Sequence, residues 1–389
     1  MAFGLASQPD NQDSRPATGQ LTKFLIILIL SLGSSACVWA QDAQPKKDES
    51  WTATSQTSID NTNPLRTIES HSKSGDRSVD TQRVEVLGPD GRYQPSYAIE
   101  TETIRVNATS TRTVVRTYKW DAQGQKNLAQ LTEEEARTSA SGDAQVVRTT
   151  SSRDVNGNFQ LVQREVADTK KTNSDAQETK TTVYLADGNG GFTPSRQTQE
   201  QQKRTSDGST EVSKTTLLPG ANGNWQLLEA SKKTIKEDGQ NRISEESISR
   251  PDLEGRLSEV SRTVGEENET AAGERSATVK TYSIQVDGLA VDGSLHLSQR
   301  ATTVQQSVSD GRTTEQQVSQ SNVGNPSDAP QVNGKNKYTV KYAASGTQQT
   351  KTIQVRAADG TFHVFSSETQ KSDRVPESPS PTEPQGSPK

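Results

Sequence analysis

The sequence predicts an all-β protein: an elongated repeat of antiparallel β-hairpins, about 33 residues per repeat, forming a single-layer sheet or a solenoid-like stack. Three observations predict it. Gly91, Gly124, Gly157, Gly190 and Gly223 sit in polar turns, each 33 residues after the last. A second series through Gly75, Gly142, Gly208, Gly239 and Gly311 runs half a period out of phase. The segments between turns are dense in Thr, Val, Ser and Gln, as in Thr111–Tyr118 and Thr179–Leu185. β-Branched side chains lose rotamer freedom in helices and fit a pleated surface.

The elements follow in chain order. Residues 1–40 are expected to be a signal peptide: residues 24–40, FLIILILSLGSSACVWA, are strongly apolar, and small residues lead to a cleavage point between Ala40 and Gln41. The apolar core is short for a membrane span, so no stable span is expected after cleavage. Cys37 is the single cysteine. Ser34 stands where a lipoprotein signal places a large aliphatic residue, which leaves lipidation as the weaker alternative. Cleavage after Ala40 removes the only thiol, and with it disulfides and cysteine-based chemistry.

Residues 41–72 are expected as a polar linker or N-terminal cap, 73–368 as the hairpin region, and 369–389 as a disordered tail rich in Pro and Ser. Within the hairpins, Asn-Gly and Asp-Gly pairs mark the reversals, since glycine adopts positive φ without strain. Both Asp287-Gly288 and Asp292-Gly293 are expected as turns, around an insertion in the array. The charged run Leu131–Arg137 has one turn of helical character but occupies a strand position, and is expected as strand.

Composition bounds function. The chain has 389 residues, 28% hydrophobic and 4% aromatic, too little for a large globular core. Its 44 basic and 49 acidic residues nearly cancel, which gives no basic footprint for nucleic acid. Apolar residues concentrate just after one series of turns. Tyr93, Phe159, Phe192, Trp225 and Phe362 form a row that is either the small core of the repeats or a ligand strip, with core preferred.

Other candidates are weaker. Asp154–Asn158 is oxygen-rich and Glu165 falls twelfth, but glycine is fourth rather than sixth, so turn chemistry outweighs a calcium loop. His71, His296 and His363 are isolated, and no nucleophile elbow, phosphate loop or zinc spacing is present in the sequence. Asn107-Ala108-Thr109 and Asn268-Glu269-Thr270 are glycosylation sequons. No cofactor and no enzymatic activity are expected.

The stretch Tyr118-Lys119-Trp120-Asp121-Ala122-Gln123-Gly124-Gln125 resembles the tyrosine–aspartate (YD, or RHS) repeats of bacterial secreted proteins. That resemblance implies a bacterial exported β-repeat protein. The functional expectation is an exported structural, adhesive or surface-binding protein, secreted or held in the periplasm or cell envelope. Its expected partners are an envelope polymer, a polysaccharide or a surface protein. The alternatives are a carbohydrate-binding or propeller-like secreted protein and a largely disordered secreted chain.

Overall fold

The computed structural model describes residues 49–59, 62–154, 156–270, 274–287, 290–308, 311–320, 331–343, 346–357 and 359–372. The expected signal peptide, the cleavage point at Ala40 and Gln41, Cys37 and the proline-bearing part of the tail lie outside them. The described residues are strands and their turns. In order these are β1 (Glu49–Ile59), β2 (Leu65–Ser74), β3 (Arg77–Leu87), β4 (Tyr93–Asn107) and β5 (Ser110–Trp120). Then come β6 (Lys126–Thr138), β7 (Ala144–Arg153), β8 (Phe159–Lys171), β9 (Ala176–Ala186) and β10 (Phe192–Arg204). They continue with β11 (Thr210–Pro219), β12 (Trp225–Asp238), β13 (Asn241–Pro251), β14 (Leu257–Glu269) and β15 (Arg275–Asp287). The last are β16 (Ala290–Val308), β17 (Gly311–Gln320), β18 (Gln331–Ala343), β19 (Gly346–Arg356) and β20 (Phe362–Ser372).

These strands make one 20-stranded antiparallel sheet, each strand paired with its neighbours in sequence. The sheet closes. β1 pairs with β2, where Ser55 faces Thr67, and also with β20, where Ser55 faces Gln370. A hydrogen bond of 3.2 Å from Gln370 Nε2 to Glu69 Oε2 crosses the seam. The expected open sheet or solenoid is therefore corrected to a closed barrel, whose ladder has no free edge. The expected linker or cap also differs: residues 49–59 and 65–74 are wall strands.

Closure also overturns the expected function. An extended repeat array presenting a surface to a polymer or partner needs an open sheet, and here the sheet is rolled into a tube with an inside. A propeller would need separate blades, and a disordered chain no ladder at all. The adhesive, propeller-like and disordered readings are set aside on these pairings.

The turns explain themselves locally. At the reversal into β6, the Asp121 N–H donates to the Gln125 carbonyl at 3.1 Å and the Gly124 N–H to the Asp121 carbonyl at 3.0 Å. Gly124 has φ +77. This is a type I turn closed by a left-handed glycine, the arrangement that suits a longer hairpin loop. The same bonds join Asp154, Gly157 and Asn158, and Asp252, Gly255 and Arg256. The expected turn at Asp292-Gly293 is corrected: these residues lie within β16, and Asp287 pairs directly with Ala290.

Turns after odd-numbered strands gather at one end of the barrel, here the Asp rim; the others, with the start of β1 and the end of β20, lie at the opposite rim. Near the Asp rim the register shifts at almost every hairpin, as between Thr117 and Tyr118, Thr150 and Ser151, and Thr216 and Leu217. Each such bulge inserts one residue and reverses the alternation of sides beyond it. Among the described residues no large side chain is fully buried. The buried apolar ones are small: Ala53, Val84, Ala98, Val114, Val183 and Val340. Backbone ladder bonds, not a packed core, hold the wall.

Candidate functional site

Side chains alternate between the two sides of a strand, and directly paired residues share a side. The registers therefore carry each side around the ring. Face I runs from Ala53 through Glu69, Gln82, Ile99, Thr117 and Gln130. Face II holds the residues between. One face lines the lumen and the other is the exterior.

Both faces are charged at mid-height. On face I, Arg148 in the middle of β7 reaches Glu134 at 2.6 Å and Glu165 at 3.4 Å, on the strands either side. On face II, Arg116 in the middle of β5 lies 3.1 Å from both Glu100 and Glu102, and Arg77 adds a bond of 2.7 Å to Glu102. The Arg116 and Arg77 guanidiniums hold the Glu102 carboxyl below the usual glutamate range. Such ladders recur as Arg250–Glu229 on face I and Lys337–Glu315 on face II. Sequence reading missed them, although hairpin partners have a constant sum of residue numbers, which places Glu100 against Arg116 and Glu134 against Arg148.

The aromatic row falls into place at the Asp rim. Tyr93 pairs with Leu87, Phe159 with Arg153, Phe192 with Ala186, Trp225 with Pro219 and Phe362 with Arg356. All lie on face II, at the first position of their strands. Trp120 and Leu257 occupy the same level. A second level, two residues deeper, holds Tyr118 with Leu128, Leu217 with Leu227, and Leu161. The bulges make this possible: Phe159 and Leu161 are odd-numbered, yet share face II with Arg164 and Val166 beyond the bulge.

The rings of this row are partly exposed. Phe159 is 38% exposed and Leu257 52%, while Tyr93, Phe192, Trp225 and Phe362 are half-buried. Cations cap several rings: Arg66 lies 4.4 Å from the Tyr93 ring centre, Lys126 3.8 Å from Tyr118 and Lys335 4.4 Å from Phe362. Arg66 also donates to Glu85 at 2.6 Å, and Arg83 reaches the same carboxylate at 3.0 Å. Glu85 is 3% exposed, a buried charge held between two guanidiniums.

The remaining candidates resolve into local roles. Asp154 Oδ1 accepts the Asn156 and Asn158 N–H groups at 2.9 and 2.8 Å, and Oδ2 accepts from Gln160. That is turn closure, with Glu165 engaged by Arg148 instead. Backbone N–H donors hold the Asp121 and Asp252 carboxyls below the ordinary aspartate range, led by those of Gln125 and Arg256. Hydroxyls of Thr205 and Ser209 hold Asp207 at about 2. His71 Nδ1 lies 2.6 Å from Asp80 and its ring stacks on Trp51. His296 and His363 sit on face I with three strands between theirs. Among the described residues no group of three or more His, Cys, Asp or Glu is placed to hold a metal, and no helix is long and apolar enough to cross a membrane.

No family model and no curated protein matches the chain. Several solved structures are similar at low identity. The siderophore receptor PirA from Pseudomonas aeruginosa is 8% identical over 85% of this chain and 81% of its own, with a TM-score of 0.44. OpdQ from the same organism is 8% identical over 84% and 98%, with a TM-score of 0.40. OmpF of Salmonella typhi, in complex with daunomycin, is 6% identical over 84% and 97%, with a TM-score of 0.36. The closed ladder is established by this chain's own registers, independently of these likenesses.

Proposed function

We propose that the protein is a hollow, water-filled conduit of the cell envelope that passes hydrophilic solutes. The observation that carries this reading is a closed 20-stranded ladder with ion pairs at mid-height on both of its faces. Strands spaced about 4.8 Å and tilted about 40° give a tube roughly 40 Å across, a size class that encloses an aqueous channel. A barrel spanning hydrocarbon along its height needs an apolar outer band about 25 Å tall. Either choice of exterior would put Arg116 or Arg148 in that band, so the wall stands in water on both sides.

Lys180 and Thr181, adjacent in mid-β9, lie on face II and face I respectively. With Cys37→Ser as background, Lys180→Cys and Thr181→Cys are each treated with a small maleimide and with one carried on a polymer wider than the tube. The expected result is that both react with the small reagent and only one with the large. Equal reaction of both with the large reagent overturns the conduit, as does a position inert to the small one. The chain alone is expected to give no stepwise conductance across a planar bilayer; stable steps would place the wall in lipid.

A further inference from the structure

We propose that the apolar ring at the Asp rim is a docking surface for phospholipid, by which the tube stands on a membrane surface without crossing it. The proposal rests on the conduit reading and assigns face II to the exterior. Mid-wall, face II is charged; at the rim the same face changes to rings and leucines over two side-chain levels, roughly 7 Å of strand. Such a belt is too shallow to span and suits the headgroup boundary, where Trp and Tyr place an apolar body beside a polar edge.

Charge complementarity selects lipid over a second copy. Arg66, Lys126, Arg153 and Lys335 lie against the belt's rings, on strands β2, β6, β7 and β18. Lipid phosphates pair with these cations. A second rim stacked end to end would leave an outward-facing belt uncovered. The turn aspartates lie beyond the belt, and those of Asp121 and Asp252 direct carboxylate oxygens back to turn N–H groups.

Tryptophan reports on the contact directly. Trp120 and Trp225 are in the belt, whereas Trp51 lies on face I near the opposite rim. Full-length chain carrying Trp39→Phe and Trp51→Phe is mixed with phosphatidylcholine vesicles, with and without phosphatidylglycerol, some containing brominated acyl chains. It is expected to float with both kinds of vesicle, more with phosphatidylglycerol, and its emission to be quenched by bromine. A chain with Trp39→Phe, Trp120→Phe and Trp225→Phe, which keeps Trp51 alone, is expected to float and to show no quenching. Replacing Phe192 and Leu257 by Ser is expected to lower vesicle partitioning by about ten-fold or more.

Failure to float, quenching of Trp51, or binding to anionic vesicles that ignores the Phe192 and Leu257 changes overturns the proposal. So does a lipid-free dimer that shields Trp120 and Trp225. If the size-restricted cysteine is Lys180→Cys, face II is the lumen and this proposal falls while the conduit stands. If neither cysteine is size-restricted the conduit falls, and bromine quenching still decides the lipid contact.

Discussion

The middle of the wall and its Asp rim are built from the same hairpins and solve opposite problems. At mid-height both faces carry ion pairs: Arg148 with Glu134 and Glu165 on one, Arg116 with Glu100 and Glu102 on the other. At the rim, face II gathers the rings, as Phe159 and Trp225 illustrate, while face I mixes polar residues such as Gln160 and Gln226 with Leu185 and Leu218. A sheet charged on both faces keeps its shape through closure, while the rim adds a row of apolar side chains. Under the proposal above, the difference separates what makes the tube from what positions it.

The comparison has meaning only if the ladder closes, and breaking closure has the largest expected effect. Ser55→Pro removes an amide donor in β1, the strand that joins both ends of the sheet, at a cost on the order of 3 kcal/mol. Small-angle scattering should change from a hollow closed form to an open one, with association through the freed strand edges. An unchanged profile would mean that the seam contributes little to the wall.

A smaller effect sharpens the rim. Arg66→Ala leaves buried Glu85 with Arg83 alone and uncovers the Tyr93 ring. Breaking a buried pair costs about 3–5 kcal/mol; the Arg66 side chain is 33% exposed, so screening lowers the expectation to about 1–3 kcal/mol, measured by urea unfolding. Arg116→Gln, whose partners Glu100 and Glu102 are less buried than Glu85, should cost less than about 1 kcal/mol in the same assay. Reversal of that order would contradict the contrast between rim and wall.

The smallest effect concerns acid. Asp207 is held at about 2 against an ordinary 3.8, and Asp121 and Asp252 are shifted in the same direction. A carboxyl lowered on folding contributes stability that is complete above its unfolded value and is lost as pH falls through the folded one. Turn amides should therefore exchange faster between about pH 4 and pH 2, and Asp207→Asn should abolish the change at its own turn. Hydrogen exchange followed by mass spectrometry measures it; a turn that loosens above pH 5 would not be this effect.

Much of the strand framework was legible because its signals are local. Gly124, Gly157 and Gly255 stand three residues after an aspartate because the turn needs an acceptor at its first position and positive φ at its fourth. Leu131–Arg137 forms strand because its neighbours on both sides supply a ladder. The row from Tyr93 to Phe362 was visible in sequence, but its place on one side of one rim was not. Bulges break the period of two that pattern reading assumes. Asp292-Gly293 misled for the converse reason: turn-forming residues were accommodated inside a long strand.

By itself the sequence determined most of the places where the chain reverses and that the segments between them are extended, since φ at a glycine and the rotamers of Thr and Val depend on near neighbours. Only the tertiary structure decided that the sheet meets itself, that both faces carry charge at mid-height, and that the rings gather on one side of one rim. Those facts join residues such as Glu69 and Gln370, 301 positions apart. They depend on twist and bulges accumulated over twenty strands, which no local window contains.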